Sequence, residues 1–165
     1  MGMGPPITAR KGLMTPTAKQ GGRILSATGR YFFALQHKDK EMGYLIVFLG
    51  GGLGAATRHG INLATARVLG TAFPYGTLLI NITGSFIMGL VAAYFAFKGG
   101  ASQHWCLFFT TGILGGYTTF SAFSLDAALL YERGQIGMAA LYVIASVAIS
   151  IVGLFAGLAL VRNFT

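Results

Sequence analysis

The chain has 165 residues, of which 54% are hydrophobic and 10% charged, and its mean hydropathy is +0.66. Soluble domains carry about 25% charged residues, so a soluble fold is excluded and the chain reads as an integral membrane protein with room for a few spans and little else. The single cysteine, Cys106, excludes an intrachain disulfide and a CxxC redox pair, and with them a thiol-exchanging membrane enzyme.

The formal net charge of +8 is regional. Residues 1–41 hold seven of the twelve Lys and Arg (Arg10, Lys11, Lys19, Arg23, Arg30, Lys38, Lys40) together with Asp39 and Glu41. The remainder carries only Arg58, Arg67, Lys98, Arg133 and Arg162 against Asp126 and Glu132. A basic tail of this kind suits an anionic lipid surface better than a nucleic acid. Residues 1–41 are rich in Gly, Thr and Pro and lack an apolar period, which predicts a disordered extension with a short interfacial patch at Tyr31–Leu35. The extension has no long apolar run of the secretory kind. Its first part resembles a transit peptide only weakly, and Met42, just before the first apolar stretch, offers an alternative start of translation. The expected division is an N-terminal extension over 1–41 and a membrane domain over 42–165.

Four apolar stretches follow: Tyr44–Ala66, Tyr75–Phe97, Trp105–Leu130 and Gly137–Val161. Each is roughly 23 to 26 residues long, enough to cross a hydrocarbon core of about 30 Å with some tilt. The links between them are short, so the expected fold is all-α, with four transmembrane helices. Lys98 and Arg162 fall on one side of such a fold, Arg67 and Arg133 on the other. Orientation follows the Lys/Arg bias of short loops, and this near tie predicts insertion in both orientations, whereas the basic extension would favour one.

The third stretch is the unusual one. Gly115-Gly116-Tyr117-Thr118-Thr119-Phe120-Ser121-Ala122-Phe123-Ser124 is a poor sequence for a plain lipid-facing helix, and predicts a helix broken near its middle. Non-helical backbone at membrane depth is tolerated only where it is buried in protein or lines a wet cavity. Within it, Phe120 and Phe123 are i, i+3 neighbours. Aromatic pairs in spans usually pack, yet a ring edge is electropositive and can face an anion. Asp126, the one acid near a span interior, reads equally as a hydrated carboxylate and as a proton relay.

Other polar residues lie at membrane depth. Asn81 sits mid-span in the second stretch, where an unpartnered amide is costly; it reads as an interhelical hydrogen bond or as a donor in a polar pathway. Tyr142, Ser146 and Ser150 are spaced i, i+4, i+8 and share one helix face, as a track for a small ion or as hydroxyls bonded back to their own helix. Arg58, about 22 Å along the first stretch by the helical rise, can snorkel to the interface as an orientation anchor or as an attractant at a pore mouth. The small residues of Gly50–Ala56 and of Gly84, Ser85 and Gly89 suit close helix packing. His59 and His104 have no ligand company, and the sequence offers no Cys/His cluster, phosphate-binding glycine motif, nucleophile elbow or paired carboxylates. An enzyme is therefore not expected.

Gly50-Gly51-Gly52-Leu53-Gly54-Ala55-Ala56-Thr57-Arg58, Gly76-Thr77-Leu78 through Asn81 to Gly84-Ser85-Phe86, and Gly115-Gly116-Tyr117-Thr118-Thr119-Phe120-Ser121 together resemble the Fluc (CrcB) fluoride channels, in order and at fitting spacing over roughly Met42–Val161. The resemblance implies a fluoride-selective channel of the cell (inner) membrane that lets fluoride leave passively, built as an antiparallel, dual-topology homodimer with two pores and a central structural sodium ion. It implies that Gly115 and Thr118 give backbone carbonyls to that sodium, that Asn81, Phe120, Phe123, Ser121, Tyr142, Ser146 and Ser150 line the fluoride pathway, and that Arg58 stands near the pore mouth. Ala122 and Leu114 depart from the family pattern, which more often has Thr and Cys there. The competing reading is a dual-topology proton-coupled exporter of cationic compounds; such exporters need a carboxylate deep in the first span, and this one has none. A third reading, a non-transporting membrane scaffold, leaves the hydroxyl stripe unexplained.

Overall fold

The computed structural model describes residues 40–97 and 102–164; the expectations for residues 1–39, including the Tyr31–Leu35 patch, and for Lys98 lie outside them. The described residues form α1 (Lys40–Leu69), α2 (Tyr75–Phe97), α3 (Gln103–Leu107), a π-helical stretch (Phe108–Leu114), α4 (Gly115–Tyr117), α5 (Phe120–Glu132) and α6 (Ile136–Asn163). The apolar stretches of the sequence thus become helices, each running a residue or a few beyond the expected ends except α2, which matches them. Gly70, with φ of 79°, follows α1 in the left-handed conformation that commonly stops a helix.

Three of these units are long and apolar enough to cross a membrane: Tyr75–Phe97, Gln103–Glu132 and Ile136–Asn163. At 30 residues α1 has the length, but its glycine run and the Arg58-His59 pair dilute its apolar character, and it is not one of the three. Among the described residues, only Ile80, Leu130 and Tyr142 are large and fully buried. Large apolar side chains such as Phe48, Val68, Ile144 and Val152 point outward, as suits a lipid solvent.

Two close helix contacts hold the unit together. Along the first, α1 lies against the π-helical stretch, and a Cβ added at Gly50 would stand 2.9 Å from the Gly112 Cα. Along the second, α2 lies against α6, where a Cβ at Gly157 would run into the Phe86 carbonyl oxygen and one at Gly89 into that of Leu154. Apolar side chains gain little from leaving lipid, so membrane helices associate through such backbone-to-backbone packing. These contacts fix α2 and α6 side by side, with α5 beside them, and so place Asn81, the broken third unit and the α6 hydroxyls around common space.

The third unit is broken, but not at the glycine pair. Gly115 is helical, with φ −65° and ψ −37°, and the departure comes at Thr118 (φ −76°, ψ 155°) and Thr119 (φ −153°, ψ 121°). Gly116 serves packing instead: a Cβ there would meet the carbonyl oxygen of Gly51 on α1. The π-helical stretch just before the break is a second irregularity, of a kind often found at functional sites.

Candidate functional site

The break is held by one side chain from another helix. The Thr119 N–H donates to Asn81 Oδ1 at 2.9 Å, and Asn81 Nδ2 donates to the Thr119 carbonyl at 3.1 Å. Asn81 thereby replaces, for one residue, the backbone partners that the helix no longer supplies. The next turn is started by Thr119 itself, whose Oγ1 accepts from the Ala122 N–H at 3.2 Å, an N-cap to α5. On the near side of the break, Thr118 donates twice to the Leu114 carbonyl, through N at 3.0 Å and Oγ1 at 2.9 Å. The Tyr117 and Thr83 hydroxyls lie 2.9 Å apart and tie α4 to α2.

These diversions free two carbonyls. In an unbroken helix the Gly115 carbonyl would accept from Thr119 N–H and the Thr118 carbonyl from Ala122 N–H. The first donor is spent on Asn81 Oδ1 and the second on Thr119 Oγ1. Gly115 is exposed and Thr118 partly so.

A cavity of about 420 Å³ adjoins the break. Asn81 and Ser85 line it from α2, Thr118 and Thr119 from the break, Phe120 and Phe123 from α5, and Ser146 and Ser150 from α6. The Ser146 and Ser150 hydroxyls are buried and make no hydrogen bond of ordinary geometry, Ser146 only approaching the Tyr142 hydroxyl. This is unusual, because a buried unpaired hydroxyl costs about 1–3 kcal/mol. The two rings differ in exposure: Phe123 is packed, whereas Phe120 is 77% exposed, and their centroids are 5.5 Å apart. Gly84 sits at the edge of this cavity, where any Cβ would press on the Thr118 methyl.

A second cavity, of about 290 Å³, lies toward the α1–α2 and α5–α6 links. Asn62, Thr65, Thr77, Asp126 and Arg133 are among its polar lining residues. Phe123 lines the larger cavity only, and against it stands Tyr142, which lines neither, with ring centroids 5.4 Å apart. Tyr142 has no exposed surface, and its hydroxyl donates to Asp126 Oδ2 at 3.3 Å. Phe73 stands edge-on to the same ring at 5.6 Å.

Of the residues singled out from the sequence, Asn81, Phe120, Phe123, Ser146 and Ser150 converge on the larger cavity. Tyr142 shares their stripe but lies behind Phe123 and turns its hydroxyl to Asp126, which lines the smaller cavity. Ser121 lines neither cavity, its hydroxyl 3.2 Å from Oγ1 of Thr119, which lines the larger one. Arg58 lines neither cavity. Thr119, Thr83 and Thr77 were not singled out. Thr119 carried one local signal, a threonine just ahead of a helical run, which is the N-cap pattern; nothing local distinguishes the other two.

The sequence over residues 45–158 matches the family model described as CrcB-like protein, Camphor Resistance (CrcB). The chain belongs to this family. Among similar curated proteins, one from Rhodopseudomonas palustris (strain BisB5), named fluoride-specific ion channel FluC, is 72% identical over 124 residues, which is 75% of this chain and 100% of that protein. One from Nitrobacter hamburgensis, named fluoride-specific ion channel FluC 2, is 67% identical over the same shares. One from Granulibacter bethesdensis, also named fluoride-specific ion channel FluC, is 57% identical over 74% of this chain and 96% of that protein. As a CrcB-family chain, this protein carries the matched region across the broken third unit, both cavities and the α6 hydroxyl stripe.

Proposed function

We propose that the protein is a fluoride-selective ion channel of the cell (inner) membrane, through which fluoride leaves the cell passively and its cytoplasmic concentration falls. The observation that carries this reading is the pair of buried, unpartnered hydroxyls, Ser146 and Ser150, in a cavity that also holds the Asn81 amide and two phenylalanine rings. A small anion loses much solvation on leaving water, and groups that replace its hydration offset that loss. Hydroxyl and amide donors and electropositive ring edges are such groups, and none of them carries a full charge that would trap the ion. The names of the similar proteins agree with this ligand. Conduction makes and breaks no covalent bond, and the protein is not an enzyme.

In this reading the fluoride route joins the larger cavity to the smaller one past Phe123 and Tyr142. All four long helical units span the bilayer, α1 included, with residues 1–41 as an N-terminal extension ahead of the channel domain over 42–165. Two copies assemble antiparallel. The Gly115 and Thr118 carbonyls, freed of their α-helical donors by Asn81 and Thr119, suit a structural sodium ion, a hard cation that takes oxygen ligands, and two copies about a two-fold axis supply the ligands in equivalent pairs. When bound, sodium adds positive field near an anion path. The four sodium ligands then come half from each subunit, so one subunit alone leaves the site incomplete.

The test is fluoride release from liposomes holding the purified full-length chain, read with a fluoride electrode beside a chloride electrode. Fluoride efflux with no matching chloride efflux is expected, and equal flux of the two ions would refute selectivity. The proton-coupled exporter is the second reading; it predicts efflux of a cationic dye driven by a pH gradient. Between Met42 and Leu69 the first helix has no acid to bind the coupling proton, which weighs against it.

A further inference from the structure

Resting on the channel reading above, we infer that Arg133 is the cation that draws fluoride into the smaller cavity, and that it does so by offsetting Asp126. These two are the only charged residues lining that cavity. They lie seven residues apart on α5 and its C-cap, so with Leu129 and Leu130 they form one i, i+3, i+4, i+7 face. The rise per residue separates them by about 10 Å along the helix axis. Asp126 is the deeper of the two, held by the Tyr142 hydroxyl, while Arg133 is exposed where the helix ends.

An anion route with a lone carboxylate in its wall repels its own cargo. At about 10 Å in water, one unit charge changes the local concentration of a monovalent ion by about twofold, and by about fourfold where the effective dielectric is halved. Low-dielectric walls of a concave site focus such fields. Arg133 supplies the opposite sign at the mouth, so an approaching fluoride meets a cation before it meets Asp126. Arg58 does not fill this place, because it lines neither cavity. A merely structural Arg133 would act as a basic residue at a helix C-terminus, and that role does not touch the ion.

The experiment compares initial fluoride efflux from liposomes at subsaturating fluoride, with the full-length chain, at about 20 mM and about 500 mM ionic strength set by a non-permeant salt. Screening over the cavity mouth is weak at the first and nearly complete at the second. Arg133→Gln is expected to slow efflux about two- to fourfold at low ionic strength, and Arg133→Glu by about the square of that factor. Arg133→Lys and the distant Arg162→Gln should match wild type, and all four should converge at high ionic strength. Unchanged low-salt flux in Arg133→Gln would overturn the inference. So would a loss in Arg133→Gln that survives at high salt or is not restored by Lys, since either marks a structural role. Absence of fluoride flux in the wild-type chain would instead overturn the channel reading itself.

Discussion

Asn81 on α2 and Thr119 at the break exchange two hydrogen bonds, N–H to Oδ1 at 2.9 Å and Nδ2 to carbonyl at 3.1 Å. Thirty-eight positions separate them in sequence. One amide thus satisfies both backbone groups of a residue that has left the helix, and only an amide presents a donor and an acceptor side by side.

Replacing Asn81 separates its two duties. Asn81→Asp keeps the acceptor for Thr119 N–H but loses the donor and puts a negative charge beside the larger cavity. Fluoride efflux should fall at least tenfold while the protein still purifies as the same oligomer. Asn81→Leu leaves both Thr119 groups unpaired and should lower stability by on the order of 3 kcal/mol, read as a drop in the unfolding midpoint in detergent. Wild-type efflux from Asn81→Asp would remove this residue from the pathway.

That pairing also explains which parts of the fold were legible in the sequence. Helix extents follow from local polarity, so Tyr75–Phe97 could be read directly, and α1, α6 and the outer ends of the third unit nearly so. The existence of a break was legible from Gly115–Ser124, because glycines and hydroxyls are out of place in a lipid-facing helix. Its place within that run was not. Gly116 packs on α1 and both glycines stay helical, and the backbone departs at Thr118–Thr119, where Asn81 waits on another helix. The π-helical stretch leaves no mark in the run Phe108–Leu114, which reads as ordinary apolar helix. In the candidate site, the i, i+4, i+8 period puts Tyr142, Ser146 and Ser150 on one face, but it cannot tell that the Tyr142 hydroxyl turns to Asp126 on α5 and that only the two serines line the larger cavity.

Ser146 and Ser150 offer a test in which stability and function move apart. Their buried hydroxyls make no hydrogen bond of ordinary geometry, Ser146 only approaching the Tyr142 hydroxyl, so removing them relieves a desolvation cost and breaks no full bond. Ser146→Ala with Ser150→Ala should therefore unfold at the same temperature as wild type or higher. If those hydroxyls coordinate fluoride, efflux of the same protein should fall about tenfold or more. A double variant that loses stability as well would mean that the hydroxyls are ordinary structural donors.

Phe120 and Phe123 should respond differently to the same substitution. Phe120 is 77% exposed, so Phe120→Ile removes little packing and should leave the stability within about 0.5 kcal/mol of wild type, the range of surface changes. Its efflux should nevertheless drop strongly, because an aliphatic side chain has no electropositive edge. Phe123 is packed against Tyr142, and Phe123→Ala should cost about 3–5 kcal/mol as a large-to-small core change. Comparing the two by efflux and by thermal unfolding separates a ring that serves the ion from one that also packs against Tyr142.

Gly84 tests whether the break must sit where it does. A Cβ there would collide with the Thr118 methyl and come within 3.1 Å of the Tyr117 ring. Tyr117 is buried and fixed through its hydroxyl to Thr83, and Thr118 is fixed twice to the Leu114 carbonyl, so neither neighbour can give way without breaking a bond. Gly84→Ala should therefore push α4 and the Thr118 carbonyl away from α2, cost about 1–3 kcal/mol as overpacking, and slow fluoride efflux by displacing both the cavity wall and the freed carbonyls. Pairing it with Thr118→Ser, which deletes the colliding methyl but keeps the hydroxyl bond, should restore most of the stability and the flux. Failure of that second change to rescue either measurement would show that Gly84 acts through something other than the break.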